Sequence, residues 1–317
     1  MYLDKVNPYS VGKQHKRDKL HIIERIRLLF DKDTFEEYYP DPGQEGLSGY
    51  DGVITGYGNI CGQKVFFYGQ DFTCMGGTFG YQHSRQIIAI LKEAMKEKKP
   101  IIGIYDGGGA RIQEGAAAVA GCGELFRWNA IASGYIPQIA IIAGTCAGGA
   151  VYSPGLMDFV FTIDKISNMF VTGAKVINEV QGTDYLVEEL GSAKIHSEVS
   201  GVAHFRMKDE RSCYAKVRKL IDILPPCYSE NRSFRTGAYY EKDISDMKQL
   251  LPKDPWEPYD VHVIIDELLD DGSFLEVQED FAKNVIVGFG LLGGLTVGIV
   301  ANQTLYENGS VDVDGAD

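Results

Sequence analysis

Apolar positions change their spacing several times along the chain, and each change predicts an element. In KLHIIERIRLLF (19–30) they recur at intervals of three and four, the period of a helix with one apolar face. Such a helix must dock on something larger. VITGYG and KVFFYGQD, starting at 53 and 64, have the β-branched and aromatic content of strands, with the glycine-containing NICGQ as the turn between them. Helical spacing returns after Gly80 in HSRQIIAILKEAMKEKK, closed by lysines that suit a helix C-terminus and stopped by Pro100. The apolar runs PIIGIY (100–105) and PQIAIIA (137–143) then lead into clustered glycines, DGGGARIQEG (106–115) and GTCAGGAVYS (144–153). The order strand, glycine turn, helix therefore recurs through 101–133 and again through 136–158. This alternation predicts an α/β fold whose sheet is covered on both faces.

The periodicity lapses between 225 and 258, a stretch rich in proline and polar residues, which predicts a linker between a first unit, 1–224, and a segment 259–317. VITGYGNICGQKVFFYGQD (53–71) matches VIVGFGLLGGLTVGIVANQ (285–303) at a shift of 232 positions. Gly56, Gly58, Gly62 and Val65 fall on Gly288, Gly290, Gly294 and Val297, and Tyr57 faces Phe289. FDKDTFEE (30–37) is echoed by LDDGSFLE (269–276). Any two hairpins share some features, but a match this long reads as duplication. On that reading, 259–317 open a second copy of the first domain and stop before its glycine turns.

Composition narrows the function. The 317 residues are 44% hydrophobic and 24% charged, enough for a substantial core and for more than one domain. A net charge of -13 argues against nucleic acid or an anionic membrane as the main partner. The opening MYLDKVNPYSVGKQHKRDKL has no apolar signal core, and no apolar run approaches membrane-spanning length, so a cytoplasmic protein is expected. Six scattered cysteines without a CxxC pair read as free thiols rather than disulfides or a zinc site.

A strand that ends in glycines and passes into a helix leaves backbone N–H groups without intrahelical partners, which makes an anion site. No Lys-Ser or Lys-Thr pair follows either cluster, and neither has the GxGxxG order, so phosphate and dinucleotide readings are weak. Two such turns converging on one point would instead hold an enolate oxygen. Side chains nearby offer other chemistry. Cys146 is a conceivable nucleophile, against the commoner fate of a buried small residue. Glu114 is a conceivable general base, against capping or pairing with Arg111. His196 and His204 are eight residues apart with no third ligand and read as structural. Asp106 reads as orienting the turn that follows it.

DFTCMGGTFG (71–80), GGGARIQEG (107–115), PQIAIIAGTCAGGAVYSP (137–154), EELGSAKIHSEVSGVAH (188–204) and FAKNVIVGFGLLGGLTVGIVANQ (281–303) together resemble the carboxyltransferase β-subunit of biotin-dependent acyl-CoA carboxylases and decarboxylases. The resemblance covers nearly the whole chain in order. It implies a crotonase-like (ClpP/crotonase) domain that binds the acyl-CoA, followed by the opening β-hairpin region of a second. It implies transfer of CO2 between carboxybiotin and the α-carbon of an acyl-CoA, through a thioester enolate and with no side-chain nucleophile. By position, the enolate oxygen falls to the backbone N–H groups of Ala110, Gly148 and Gly149. Substrate-binding positions fall on Gly76, Gly77, Gly108, Gly109 and Ala147, and no metal is implied.

Biotin would be carried on a separate biotin carboxyl carrier protein. Further implied partners are a biotin carboxylase or a membrane decarboxylase subunit, other copies of the chain in a homo-oligomer, and a separate chain that completes the C-terminal domain. That domain holds the family's second oxyanion hole, which the resemblance places outside these residues. Thr304 stands where the resemblance leads one to expect proline. Alternative functions are a non-catalytic subunit that binds acyl-CoA or assembles the complex, and a crotonase-type CoA hydratase or isomerase.

Overall fold

A computed structural model describes residues 8–39, 50–229, 247–254 and 256–316. Most of the stretch read as a linker lies outside the described residues. The first unit runs α1 (Pro8–His15), α2 (Ile22–Leu29), β1 (Glu36–Glu37), β2 (Val53–Ile60), β3 (Gln63–Gln70), α3 (Tyr81–Glu97), β4 (Ile101–Gly107), α4 (Ala116–Ala132) and β5 (Gln138–Ala147). It continues with α5 (Tyr152–Gly155), β6 (Phe159–Ile163), β7 (Asn168–Phe170), α6 (Ala174–Gln181), α7 (Val187–Gly191), α8 (Ala193–Glu198), β8 (Phe205–Met207) and α9 (Glu210–Ile223). After it come α10 (His262–Leu268), β9 (Leu275–Val277), β10 (Val285–Leu292), β11 (Leu295–Asn302) and α11 (Val313–Ala316).

Eight strands form one sheet in the order β1-β2-β3-β4-β5-β6-β8, with β7 beside the far end of β5. β1 to β3 pair antiparallel, and every pairing from β3 onward is parallel. The apolar run Ile101–Tyr105 has its cause here, since all seven residues of β4 are buried, Asp106 among them. Ile102 and Ile104 enter the layer under α2 and α9. Ile101 and Tyr105 enter the layer under α3 and α4. The sheet is thus covered on both faces, as the alternation predicts. The second junction departs from expectation. Only a 3-10 turn, Gly148–Val151, and the four-residue α5 follow it before the chain enters β6.

β9, β10 and β11 make a separate antiparallel sheet. Under the 232-residue shift, β2 and β3 coincide with β10 and β11 end for end. Both hairpins turn through left-handed pairs, Cys61 and Gly62 (φ 51° and 76°) and Gly293 and Gly294 (56° and 79°). In each, one carboxylate accepts both turn N–H groups. Asp31 takes Cys61 and Gly62 at 3.2 and 2.9 Å, and Asp270 takes Gly293 and Gly294 at 2.8 Å each. The 3-10 turns Met75–Gly77 and Glu307–Gly309 follow at the same shift, and α11 begins at Val313 as α3 begins at Tyr81.

One face of the small sheet is covered by the first unit. Leu275, Val277 and Leu291 join the core under α9, Phe289 meets Phe159 edge-on at 5.9 Å, and Thr296 Oγ1 donates to the Ile223 carbonyl. Val261, Ile265, Leu269 and Ile286 form a smaller cluster of their own.

Candidate active site

β4 and β5 are adjacent and parallel, so both glycine clusters lie at one end of the sheet, where such folds bind ligands. Glycine lets the two turns touch. A Cβ on Gly109 (φ 93°) would lie 2.7 Å from the Ala147 carbonyl oxygen. The 3-10 turn Met75–Gly77 closes on the first cluster in the same way: a Cβ on Gly77 would lie 2.1 Å from the Asp106 carbonyl oxygen, and the Gly108 N–H donates to Gly76 O at 3.2 Å. Phe79 and Ala110 then form a bridge in which the Phe79 N–H donates to Gly109 O and the Arg111 N–H to Phe79 O.

That bridge leaves the Ala110 N–H out. Among the described residues, no hydrogen bond uses it. Gly149 is the second residue of its 3-10 turn, where an N–H has no partner within the turn. A Cβ at Gly76, Gly148 or Gly149 would meet nothing within 4 Å, whereas one at Gly108 would touch Thr78 Cγ2 at 3.6 Å. Gly77 and Gly109 therefore pack backbone on backbone, Gly108 lies against a side chain, and Gly76, Gly148 and Gly149 face open space.

The side-chain alternatives are each engaged elsewhere. Cys146 is buried, and burial pushes its thiol well above the usual range, which removes the thiolate. Glu114 accepts the Tyr81 N–H at the start of α3 at 2.6 Å and pairs with Arg111 at 2.6 Å; the Tyr81 bond first, then Arg111, hold its carboxyl below the usual range. His196 bonds the Met169 carbonyl and Ser200, and His204 Nδ1 accepts the Val160 N–H. No three His, Cys, Asp or Glu side chains gather as a metal site among the described residues, and no helix there is long and apolar enough to cross a membrane. Thr304, in place of proline, ties the end of β11 to the segment before α10, its Oγ1 accepting the Tyr259 N–H and donating to the Tyr259 carbonyl.

Sequence reasoning missed the charged cluster below the turns. Asp106 is fully buried and accepts from Lys19 Nζ at 2.5 Å and Arg25 Nη1 at 3.0 Å. Arg25 also donates to the Ala143 carbonyl and to Glu210. The signal was present: Arg25 sits on the apolar stripe of α2, among Ile22, Ile26 and Leu29.

A mostly parallel sheet with paired glycine turns at one end, walled by helices on both faces, is the crotonase-like fold of carboxyltransferases. The chain belongs to the carboxyl transferase domain family, whose profile matches residues 13–317. It is 43% identical over 315 residues to the propionyl-CoA carboxylase beta chain of Roseobacter denitrificans, covering 96% of this chain and 62% of that protein. To the methylmalonyl-CoA decarboxylase subunit alpha of Veillonella parvula it is 42% identical over 317 residues, covering 97% of this chain and 62% of that protein. The crystal structure of transcarboxylase 12S, a hexamer assembly with hydrolyzed methylmalonyl-coenzyme A bound, superposes with a TM-score of 0.90 at 37% identity. That match covers 98% of this chain and 62% of the other. The chain thus spans less than two thirds of the length of these relatives.

Proposed function

We propose that this chain carries the acyl-CoA side of a biotin-dependent carboxyltransferase. The observation that supports it most is the contact between the two glycine turns, each offering a backbone N–H. A thioester oxygen lodged there would accept from Ala110 and from Gly149, with Gly148 shaping the second turn. As the α-carbon loses its proton or its carboxyl group, charge moves onto that oxygen and both bonds strengthen, each by about 3 kcal/mol. Gly76, Gly148 and Gly149 leave room for the acyl group and the arm of CoA. Gly109 against Ala147 keeps the two turns together, while Gly77 and Gly108 seat the Met75–Gly77 turn on the first of them. Biotin, borne on a carrier protein, would supply the ureido group that carries and releases CO2. The chain's own part is to bind the ester, hold its carbonyl and orient the α-carbon.

The same site serves both directions. A biotin carboxylase as partner would drive addition of CO2, and a membrane decarboxylase subunit would drive its removal. In the first copy, the edge of β3 from Phe66 to Gly69 pairs with β4. The matching edge of β11, Gly298 to Ala301, pairs with no strand among the described residues. A further polypeptide segment supplying that strand, and other copies of the chain, are the expected partners. Nothing favours a hydratase, because Glu114 is already bonded twice.

The test combines sedimentation with acyl-CoA titration and a carboxyl-transfer assay on a panel of acyl-CoAs. The chain alone is expected to self-associate and bind acyl-CoA without transferring carboxyl groups to or from biotin. Gly149→Val should weaken acyl-CoA binding, yet leave the fold intact because its Cβ meets open space. A monodisperse monomer with full transferase activity, or an undiminished Gly149→Val variant, would refute the assignment.

A further inference from the structure

The pairing of β4 with β5 is broken once. Tyr105 faces Ile142, but the next pair is Gly107 with Cys146. Ala143, Gly144 and Thr145 thus stand opposite the single residue Asp106, an enlarged bulge placed directly before both glycine turns. Its length fixes how far the second turn projects past the first. A bulge leaves backbone groups unpaired. On the other edge of β5 the ladder with β6 ends at Ile142 and that with β7 starts at Thr145, so Ala143 and Gly144 are paired on neither side.

We propose that Asp106, gripped by Lys19 and Arg25, is a positioning residue that holds this bulge and thereby sets the spacing of the two N–H donors. The geometry is a clamp. Arg25 Nη1 donates to Asp106 Oδ2 on β4, while Nη2 of the same guanidinium donates at 2.7 Å to the Ala143 carbonyl, at the start of the bulge on β5. Glu210 receives Arg25 Nε at 2.7 Å and itself accepts from Tyr214, so the guanidinium has one orientation. Lys19 takes the other carboxylate oxygen. The carboxylate lies over Gly144, where a Cβ would fall 2.1 Å from Oδ1. All these groups are buried, so each unpaired partner would be costly and the arrangement has few alternatives. The clamp touches no substrate and acts only through the turns.

This inference rests on the oxyanion reading of the turns, and the experiment separates the two. Propionyl-CoA labelled with carbon-13 at the thioester carbonyl is bound to the full chain, and the carbonyl stretch is read by difference infrared spectroscopy. Two aimed donors shift the stretch to lower frequency, a readout that loss of fold stability alone does not mimic. Asp106→Asn and Gly144→Ala should each lose most of that shift, with propionyl-CoA affinity falling about tenfold while CoA itself binds as before. Gly144→Ala keeps every charge and decides the matter if Asp106→Asn fails to fold. Wild-type shifts in a folded variant of either kind would overturn the clamp. An absent shift in the unsubstituted chain, or one that survives Gly149→Val, would overturn the oxyanion reading itself.

Discussion

The hairpin β2–β3 and its copy β10–β11 have the same bounds, the same left-handed turn and the same aspartate clasp, yet they are used differently. In the first copy, six consecutive residues from Val65 to Gln70 are buried, because β4 pairs with β3 and helices cover both faces. In the second, β11 has no fully buried residue, and Val300 is 80% exposed. The backbone of a hairpin is therefore set by local turn chemistry and its clasp, while the burial that stabilises it is set by neighbours. The copies also differ in their titratable groups. His83, on α3, is buried with Nδ1 on the Asp51 carbonyl, and the equivalent position in α11 is Gly315. The second copy has His262, held between Asp260 and Glu276 at 2.7 and 2.8 Å.

Cutting the same position in both copies should give the largest contrast. Phe67→Ala should cost about 4 kcal/mol, whereas Ile299→Ala, its partly exposed counterpart, should cost less than about 1 kcal/mol in denaturant unfolding. Equal costs would mean that β11 is covered in solution.

Acid titration comes next. Burial lowers the His83 pKa to about 4, with only partial opposition from Asp51, while the unfolded chain titrates near 6.5. The unfolded state therefore takes up the proton first. Stability should fall by about 3 kcal/mol as pH drops from 6.5 to 4, and His83→Gln should flatten that slope in thermal melts.

Thr304→Val removes both bonds to Tyr259 and should cost about 1.5 kcal/mol, a loss confined to the second copy. Hydrogen exchange would show whether α10 and the turn after β11 loosen while β4 and β5 stay protected.

The smallest effect has the opposite pH sense. Burial opposes the charge on His262, but Asp260 and Glu276 outweigh it and raise its pKa. Its contribution, about 0.3 kcal/mol after allowance for solvent exposure, is full below the unfolded pKa and is lost as pH rises through the folded one. His262→Gln should remove only that alkaline step.

Much of this was legible in the chain because the signals were local. Strand content, the lysine-rich end of α3 and the glycines after β4 and β5 each act within a few residues, and the repeated hairpin needed only the chain set against itself. The short α5 was not legible, because helical spacing in GTCAGGAVYSP does not reveal that Phe159 must already have returned to the sheet. The glycines alone did not tell Gly77 and Gly109, which pack on carbonyls, from Gly149, which faces space. The pairing of Asp106 with Lys19 and Arg25 spans more than eighty residues and has no periodic signature. Burial of β10 against α9 likewise depends on contacts such as Lys219 to the carbonyls of Gly272 and Phe274, which no spacing rule contains.

Two hairpins of the same backbone shape in one chain also pose a kinetic problem for β4. During folding it must choose a parallel edge, and β3 and β11 offer edges of the same shape. The nearer one requires a loop of tens of residues and the farther one a loop several times longer, a difference in closure entropy of roughly 1.5 kcal/mol in favour of β3. That margin holds within one molecule. It vanishes between molecules at high concentration, where the β11 edge of one chain can capture the β4 of another before its own β3 does. Refolding yield should therefore fall with concentration, and the lost material should be chains exchanged through β4.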